Sequence, residues 1–571
     1  MGQFIKTQNS FALGEVSEQF YTRDDINGLA RLENMDVLSS GCLTRRDGLK
    51  SVAQLKGPAR LIPFSVSDGT DYLLAIADHH IYVFYQDKLY QDLASPWTYQ
   101  DAKLLQYAQR FGTMIFVHPD YRPQVLSKNG TRFDISDFLF ATNDADLSIY
   151  FPFVSFPDAT GIKITVTSHV SGNNFATFTS NKSFWTPDNV DGRLFLLGKQ
   201  WIITEYISDT VVTAYTNGTY TLPSAAVSDW TECAFGARRG WPRSITFHQD
   251  RLVFGGSREW PCGIWMSKVS QHNNFDLGSG LDDEAIFVNL LSDKNQHICT
   301  VVSSDNLQIL TSAGEWAISC KPLTPSSVDI MQHTSVGSIS NRYLPPQKIE
   351  GATIFISGNG RDIRELGLDD FGEKYNANDL SAYAKHLINN PIDMAYNADS
   401  HRLFVVCDDG GMSVLNQNSS LGISAWGRYI TAGKFLSVAT SSNMTYVVVQ
   451  RDTGVSLERF SADVSNDADK YDFSFRAAAL PLRASGHNAR RLKLHRIGAR
   501  VLNTRSIFIN GSRVALPNES YEPDSPGYSG DVSISLLGTC RECINSPWVI
   551  HGSDSLPITV LSVTMYGTYT V

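Results

Sequence analysis

No apolar run in this 571-residue chain approaches eighteen residues, so it offers no transmembrane helix and no membrane anchoring is expected. The opening, MGQFIKTQNSFALG, lacks an apolar core long enough for a secretory signal. Lys6 stands where a myristoylation pattern needs Ser or Thr. A disulfide framework is missing too: the eight cysteines are scattered, and most sit in apolar strands as small buried hydrophobes. Synthesis in a reducing compartment follows. Cys540–Arg–Glu–Cys543 has zinc or redox spacing, but no second pair and no βαβ pattern accompanies it. A turn carrying two free thiols is the other reading.

Catalytic signatures are also scarce. There is no H-E-x-x-H, P-loop or G-x-S-x-G, and Gly358–Asn359–Gly360 does not complete a dinucleotide fingerprint. Asp282–Asp283–Glu284, Asp369–Asp370 and Asp408–Asp409 sit beside glycine or in turns. They read as solvated loops rather than as the acid and base of a glycoside hydrolase. Ser65–Thr70 resembles a glycosidase Asp box, with the wrong spacing and in one copy. His79–His80 lacks a further ligand nearby, and His248 reads as a hydrogen-bonded structural histidine. No cofactor, metal or catalytic residue is expected. Helix is sparse, with candidates over Ile26–Asn34 and over Asp379–Asn389, the latter capped by Asp379.

What the chain has in abundance is β-sequence: many aromatic, Thr and Val residues, and Gly outnumbering Pro. Trp241–Gly256, WPRSITFHQDRLVFGG, shows apolar alternation, a polar turn at Gln249–Asp250 and a second strand. The same hairpin recurs at Leu61–Ile76, Leu104–Val117, Cys299–Leu310, Ile392–Val406 and Phe435–Val449, with a cousin at Gly351–Leu366. From Leu310 onward the recurrence matches the period of four-stranded propeller blades, roughly 40–55 residues. A lone hairpin cannot bury both faces, whereas stacked blades can. The expected fold is mainly β, a propeller-like ring of short antiparallel sheets with an inserted β-domain and a C-terminal β platform domain. A large β-sandwich is the competing architecture.

The domain reading places an N-terminal segment at 1–58, first blades at 59–128, an inserted β-domain at 129–239, remaining blades at 240–461 and the platform at 462–571. The insertion has its own strands at Ile162–Ser168, Arg193–Leu197, Trp201–Tyr206 and Thr210–Tyr215. The polar joint Ser461–Tyr471 precedes the last domain, which carries the loop Ser520–Gly530.

Charge is unevenly distributed. Phe473–Asn518 holds no acidic residue but nine basic ones, so the remainder of a chain of net charge −10 carries −19. Such asymmetry marks an interaction surface. Arg490, Arg491, Lys493, Arg496 and Arg500 lie in a partly alternating stretch that would put several cations on one strand face. That face could meet an acidic neighbouring subunit or ring, stand free in solvent, or touch DNA. A strongly basic DNA conduit would hold its cargo through counterion release, whereas an acidic lining lets the backbone slide.

Several motifs together bear a resemblance. Phe11-x-x-Gly14–Glu15-x-Ser17, Arg23–Asp24, Leu32–Glu33–Asn34 and Gly41–Cys42–Leu43–Thr44–Arg45–Arg46–Asp47–Gly48 are similar to the opening of tail nozzle (tail tubular or stabilisation) proteins of short-tailed bacteriophages. The likeness continues through FHQDRLVFGG with Trp265–Ser267, then Arg361–Leu366, Asp379–Ser381 with Ala384 and His386, and Ile392–Tyr396. It ends with Ala425–Arg428 and Ser555–Leu561. Glu18, Cys42 and Asp47 depart from the family pattern, where Pro, Gly and Pro are usual. The resemblance implies a virion structural protein: a homohexamer below the portal and its adaptor (head-to-tail connector) ring, enclosing the DNA ejection channel. It implies a virion-tail location after assembly in the host bacterial cytoplasm, tail fibre or spike partners, and transient non-specific contact with genomic double-stranded DNA. Adaptor or subunit contacts would then fall on Arg45, Arg46, Arg490, Arg491, Lys493, Arg496 and Arg500. The alternative function is a tail propeller protein that binds or hydrolyses host surface glycan; a cellular propeller used as a scaffold is a third.

Overall fold

The computed structural model describes residues 2–21, 27–144, 147–168, 174–369, 372, 374–462, 474–481, 491–517, 526–536, 546–553 and 556–570. Cys540 and Cys543, Arg23 and Asp24, Arg483, Arg490, Asp370, most of the 461–471 joint and most of the 520–530 loop lie outside them. The chain divides into two compact units, Met1–Lys103 with Leu344–Val571, and Leu104–Tyr343.

Each anticipated hairpin is present, and each belongs to a four-stranded antiparallel meander. Among the described residues there are six sheets of four strands, and a nine-stranded sheet whose first four strands run in the same order. In the second unit the meanders begin at Gln106–Arg110, Ser244–His248 and Ile298–Ser303. In the first they begin at Arg60–Ser65, Gln347–Ile349, Pro391–Asn397 and Lys434–Ser441. First strands pack side by side: Pro391–Asn397 on Lys434–Ser441, and that strand on Arg60–Ser65. This is blade packing, and the protein is a mainly β, propeller-like chain. The turns explain why the hairpins are so tight. Gln249–Asp250, Gln86–Asp87 and Ser442–Asn443 each have two consecutive positive φ angles, the geometry that matches strand twist in a two-residue hairpin.

Side chains rather than backbone pairs join one first strand to the next. Leu61 N–H donates to Ser437 Oγ (2.9 Å), and Ser437 in turn donates to Asp393. Gln347 takes the Tyr396 N–H and gives to the Met394 carbonyl. In the second unit Ser244 Oγ accepts the Val301 N–H (2.7 Å).

The structure differs from the sequence reading at four places. Gly48–Leu55 is no prelude: it pairs with Gly454–Ser461 and completes the last meander. Leu29–Glu33, within the first expected helix, is a strand between Ile423–Tyr429 and Phe475–Ala479. The second expected helix is a strand end, a turn and one 3-10 turn at Lys385–Leu387. There the Leu380, Tyr383 and Leu387 carbonyls accept from Trp426, Ser17 and Ser413. Tertiary donors thus outcompete the i+4 amides of a helix. Finally, Arg132–Asp137 is the fourth strand of the first meander of its unit, so the inserted sheet runs only from Phe153 to Cys233.

That insertion is a seven-stranded sheet with its own core, built on Phe178, Trp185, Trp201 and Trp230. The C-terminal domain draws on both chain ends. Gly2–Gln8 and Arg491–Thr504 flank Thr559–Thr570, and Phe11, Leu32 and Val37 share a core with Ile497, Trp548 and Val563.

Candidate functional site

The motif residues that lie hundreds of positions apart converge on one buried polar junction in the first unit. Glu15 is 1% exposed. Its carboxylate accepts the Leu32 N–H (2.8 Å), Arg428 Nε (3.1 Å) and Nη2, and His386 Nε2 (2.9 Å). With Nε2–H donating to Glu15, His386 Nδ1 accepts the Ser17 hydroxyl (2.9 Å). Burial alone would raise the Glu15 pKa; His386, Arg428 and the Leu32 amide outweigh it and hold the carboxyl below its ordinary value. Gly14 takes a left-handed conformation with its Cα against the Trp426 backbone, where any side chain would collide.

A second layer lies beside it. Asn34 gives to the Ser474 carbonyl while accepting from Ile430 N–H and Arg46 Nε. Asp36 accepts from the Tyr429 hydroxyl and is ion-paired with Arg402 (3.0 Å). Arg46 is therefore no surface contact. It is 2% exposed, donates to the Asp47 and Ile430 carbonyls, and lies over the Tyr429 and Phe460 rings. The arrangement stitches the N-terminal segment, a blade and the C-terminal domain together. Arg251 plays the same part in the second unit: wholly buried, it donates to the Ser267, Glu284, Asp282 and Leu323 carbonyls.

Of the acidic clusters, Asp282, Asp283, Asp408 and Asp409 are exposed, as solvated loops require. Glu284, 8% exposed rather than solvated, accepts the Ser279, Gly280 and Leu281 amides. Its loop is thereby an anion nest closed by the chain's own carboxylate. Asp408 and Asp409 hold Asn390 and Asn389 at a turn. His248 is bound to Ser303 and His80 to Asp92. The Cys233 and Cys299 thiols are pushed up to about 12 by burial, which makes them poor nucleophiles at neutral pH.

Of the basic stretch, Lys493, Arg496 and Arg500 do share a face. On a regular strand residues 493 and 496 would point oppositely, but a bulge at His495 restores the alternation. Lys493, Arg496 and Arg500 face Thr568, Tyr566 and Ser562, while Ile497, Ala499 and Val501 point into the core. Gln3, Ile5 and Thr7 continue this outward surface, with Ile5 69% exposed. Arg491 belongs to the strand, and Arg45 is half-buried in the strand Leu43–Arg45 that pairs on Thr559–Thr570.

Sequence reasoning gave no sign of a cleft in the second unit. It holds about 840 Å³ between the inserted sheet and the meander that starts at Gln106. Arg122, Arg193, Arg238 and Arg239 line it together with Phe138, Phe140, Phe151 and Trp241. Arg238 and Arg239 are paired with Asp158, and Arg239, 4% exposed, also with Glu232. Burial alone would lower the Arg239 pKa, but Glu232 and Asp158 outweigh it and keep the guanidinium charged. These pairs clamp the two ends of the insertion.

No family model matches the chain, and no curated protein matches it. Among solved structures it is similar to BamB from Moraxella catarrhalis (10% identity, 72% of this chain and 98% of that one, TM-score 0.33). It is also similar to the Cps50 (Swd1) β-propeller domain of Myceliophteria thermophila (6%, 73% and 99%, 0.37) and to a streptogramin B lyase (12%, 73% and 98%, 0.30).

Proposed function

We propose that this chain is a tail nozzle protein of the short-tailed bacteriophage kind: a homohexameric, non-catalytic virion component that walls the DNA exit path beneath the portal and adaptor. The observation that carries the reading is the junction. The motifs responsible for the family resemblance, up to 413 positions apart, meet around Glu15, Arg428, Asn34 and Arg46. A family signature spent on joining both chain ends to a blade suits a protein whose work is mechanical.

The outward face bearing Lys493, Arg496 and Arg500 supports the docking part of the proposal. It is one-sided, rich in hydroxyls and cations, and stands on a well-packed core. An acidic adaptor surface would complement it. The chain's remaining charge of −19 suits a lining that repels phosphate. Tail fibres or spikes would attach elsewhere on the ring, and contact with DNA would be transient.

Mass measurement tests the assembly. With adaptor present, native mass should rise to complexes containing six copies of the 63.2 kDa chain. Arg496→Glu with Arg500→Glu should abolish adaptor binding while leaving the melting temperature within a degree or two, since both side chains are exposed. A chain that stays monomeric beside every adaptor ring tried, and that is absent from purified tails, would end this reading.

A further inference from the structure

We propose that the cleft in the second unit binds an acidic saccharide, with the Arg193 guanidinium receiving the carboxylate or phosphate of one sugar and the neighbouring aromatic rings receiving the sugar faces. This goes beyond the nozzle reading and does not depend on it.

Arg193 is the exception among the cleft arginines. Arg122 is paired with Asp137 (3.0 Å), Arg238 with Asp158, and Arg239 with Asp158 and Glu232. Arg193 has no side-chain hydrogen bond and no carboxylate at ion-pair distance among the described residues; its guanidinium lies over the Phe151 ring, 5.7 Å from the centroid. Burial lowers its pKa and Arg122 adds to this, while Cys233 and Asp191 offset it only in part. A half-buried guanidinium with no protein acceptor keeps its donors for a ligand, and its planar fork suits a two-oxygen anion.

The surroundings indicate what carries the anion. Arg193, Phe151, Ile149 and Ile202 line both the 840 Å³ cleft and a second one of about 470 Å³. Arg193 therefore sits at the waist of an extended groove, whose two parts each have the size of a ligand site. Beyond the waist lie Phe153, Phe195 and Tyr215, with Phe195 42% exposed, and the amides of Asn143 and Asn217. Gln200 is held rigid, both ends of its amide bonded to the Ile149 backbone (2.9 and 2.7 Å). Aromatic faces beside fixed amides fit rings that are apolar on one face and hydroxylated at the rim. Nucleic acid fits poorly: it needs a row of free cations, and here the other arginines are paired while Asp188, Asp191 and Asp276 add negative charge.

The test is calorimetric titration of the full chain with four probes: a glucuronate-containing tetrasaccharide, a neutral chitotetraose, glucose 1-phosphate and inorganic phosphate, with a short DNA duplex as a fifth titrant. Binding of the uronate saccharide, or of the phosphorylated sugar if phosphate is the anion, at least tenfold tighter than the neutral one supports the proposal. Arg193→Gln should remove that preference and Arg193→Lys restore part of it; Phe195→Ala should weaken neutral and acidic saccharides alike. Should Arg193→Gln prove unfolded by its melting curve, loss of the acidic preference of the unaltered chain in high salt takes its place. Equal affinity for acidic and neutral saccharides, no binding of either acidic sugar, or tighter binding of free phosphate or the duplex would overturn the proposal.

Discussion

Glu15→Ala is expected to be among the most damaging single substitutions in the first unit, costing about 3–5 kcal/mol, the range for removing one partner of a buried ion pair. Three things fail together: Arg428 loses its carboxylate, the Leu32 amide loses its acceptor, and His386 loses the group that orients it toward Ser17. A 571-residue chain unfolds in more than one step. The effect is therefore read as a shift of the first transition in denaturant, together with faster amide exchange in Leu29–Glu33 and Ile423–Tyr429. The pH dependence follows from the lowered pKa. A carboxyl held below its unfolded value of 4.5 contributes stability that is fully present above that pH and is lost as pH falls through the folded value. Glu15→Gln should thus be less stable at pH 7 but show a flatter acid limb. A mutant as acid-sensitive as the parent would show that other carboxylates govern the acid transition.

How much of this was legible beforehand depends on the range over which each feature is encoded. The hairpins are local: an apolar alternation, a polar turn and a second strand lie within about fifteen residues, as in Leu61–Ile76, and pattern alone finds them. Gly48–Leu55 is not local, because its partner Gly454–Ser461 lies some four hundred positions away, and nothing in its own composition marks a last strand. The same distance defeated the expected helix over Ile26–Asn34, where Leu29–Glu33 draws its hydrogen bonds from Phe475–Ala479. Arg45–Arg46 looks like a surface pair until Asn34, Tyr429 and Ile430 close over Arg46. Arg193 carries no signal at all. One arginine in a strand is ordinary, and only the pairing of its neighbours with Asp137, Asp158 and Glu232 leaves it distinct.

Asp393→Ala should match the loss at Glu15, with the opposite pH signature. Asp393 is 4% exposed and lies in the first strand of its meander, where it accepts the Ser437 hydroxyl, the Val438 amide (3.1 Å) and the Met394 amide (2.9 Å). Ser437 passes the connection on by accepting the Leu61 N–H, so one carboxylate coordinates three adjacent strands. Alanine leaves the Val438 and Met394 amides and the Ser437 hydroxyl without that acceptor, at about 1–3 kcal/mol for each buried group left unsatisfied. The net loss should reach about 3 kcal/mol or more. Burial raises the Asp393 pKa above 3.8, and Arg60, Ser437 and the two amides offset this only in part. A raised carboxyl binds its proton more tightly when folded, so its charge is a cost at neutral pH that mild acid relieves. Asp393→Asn, which keeps an acceptor and never ionises, should therefore be milder than alanine at pH 7 and lose any gain the parent shows on slight acidification. Were alanine and asparagine equally harmless, the strands would be held by apolar packing alone, and the Asp393–Ser437–Leu61 relay would be incidental.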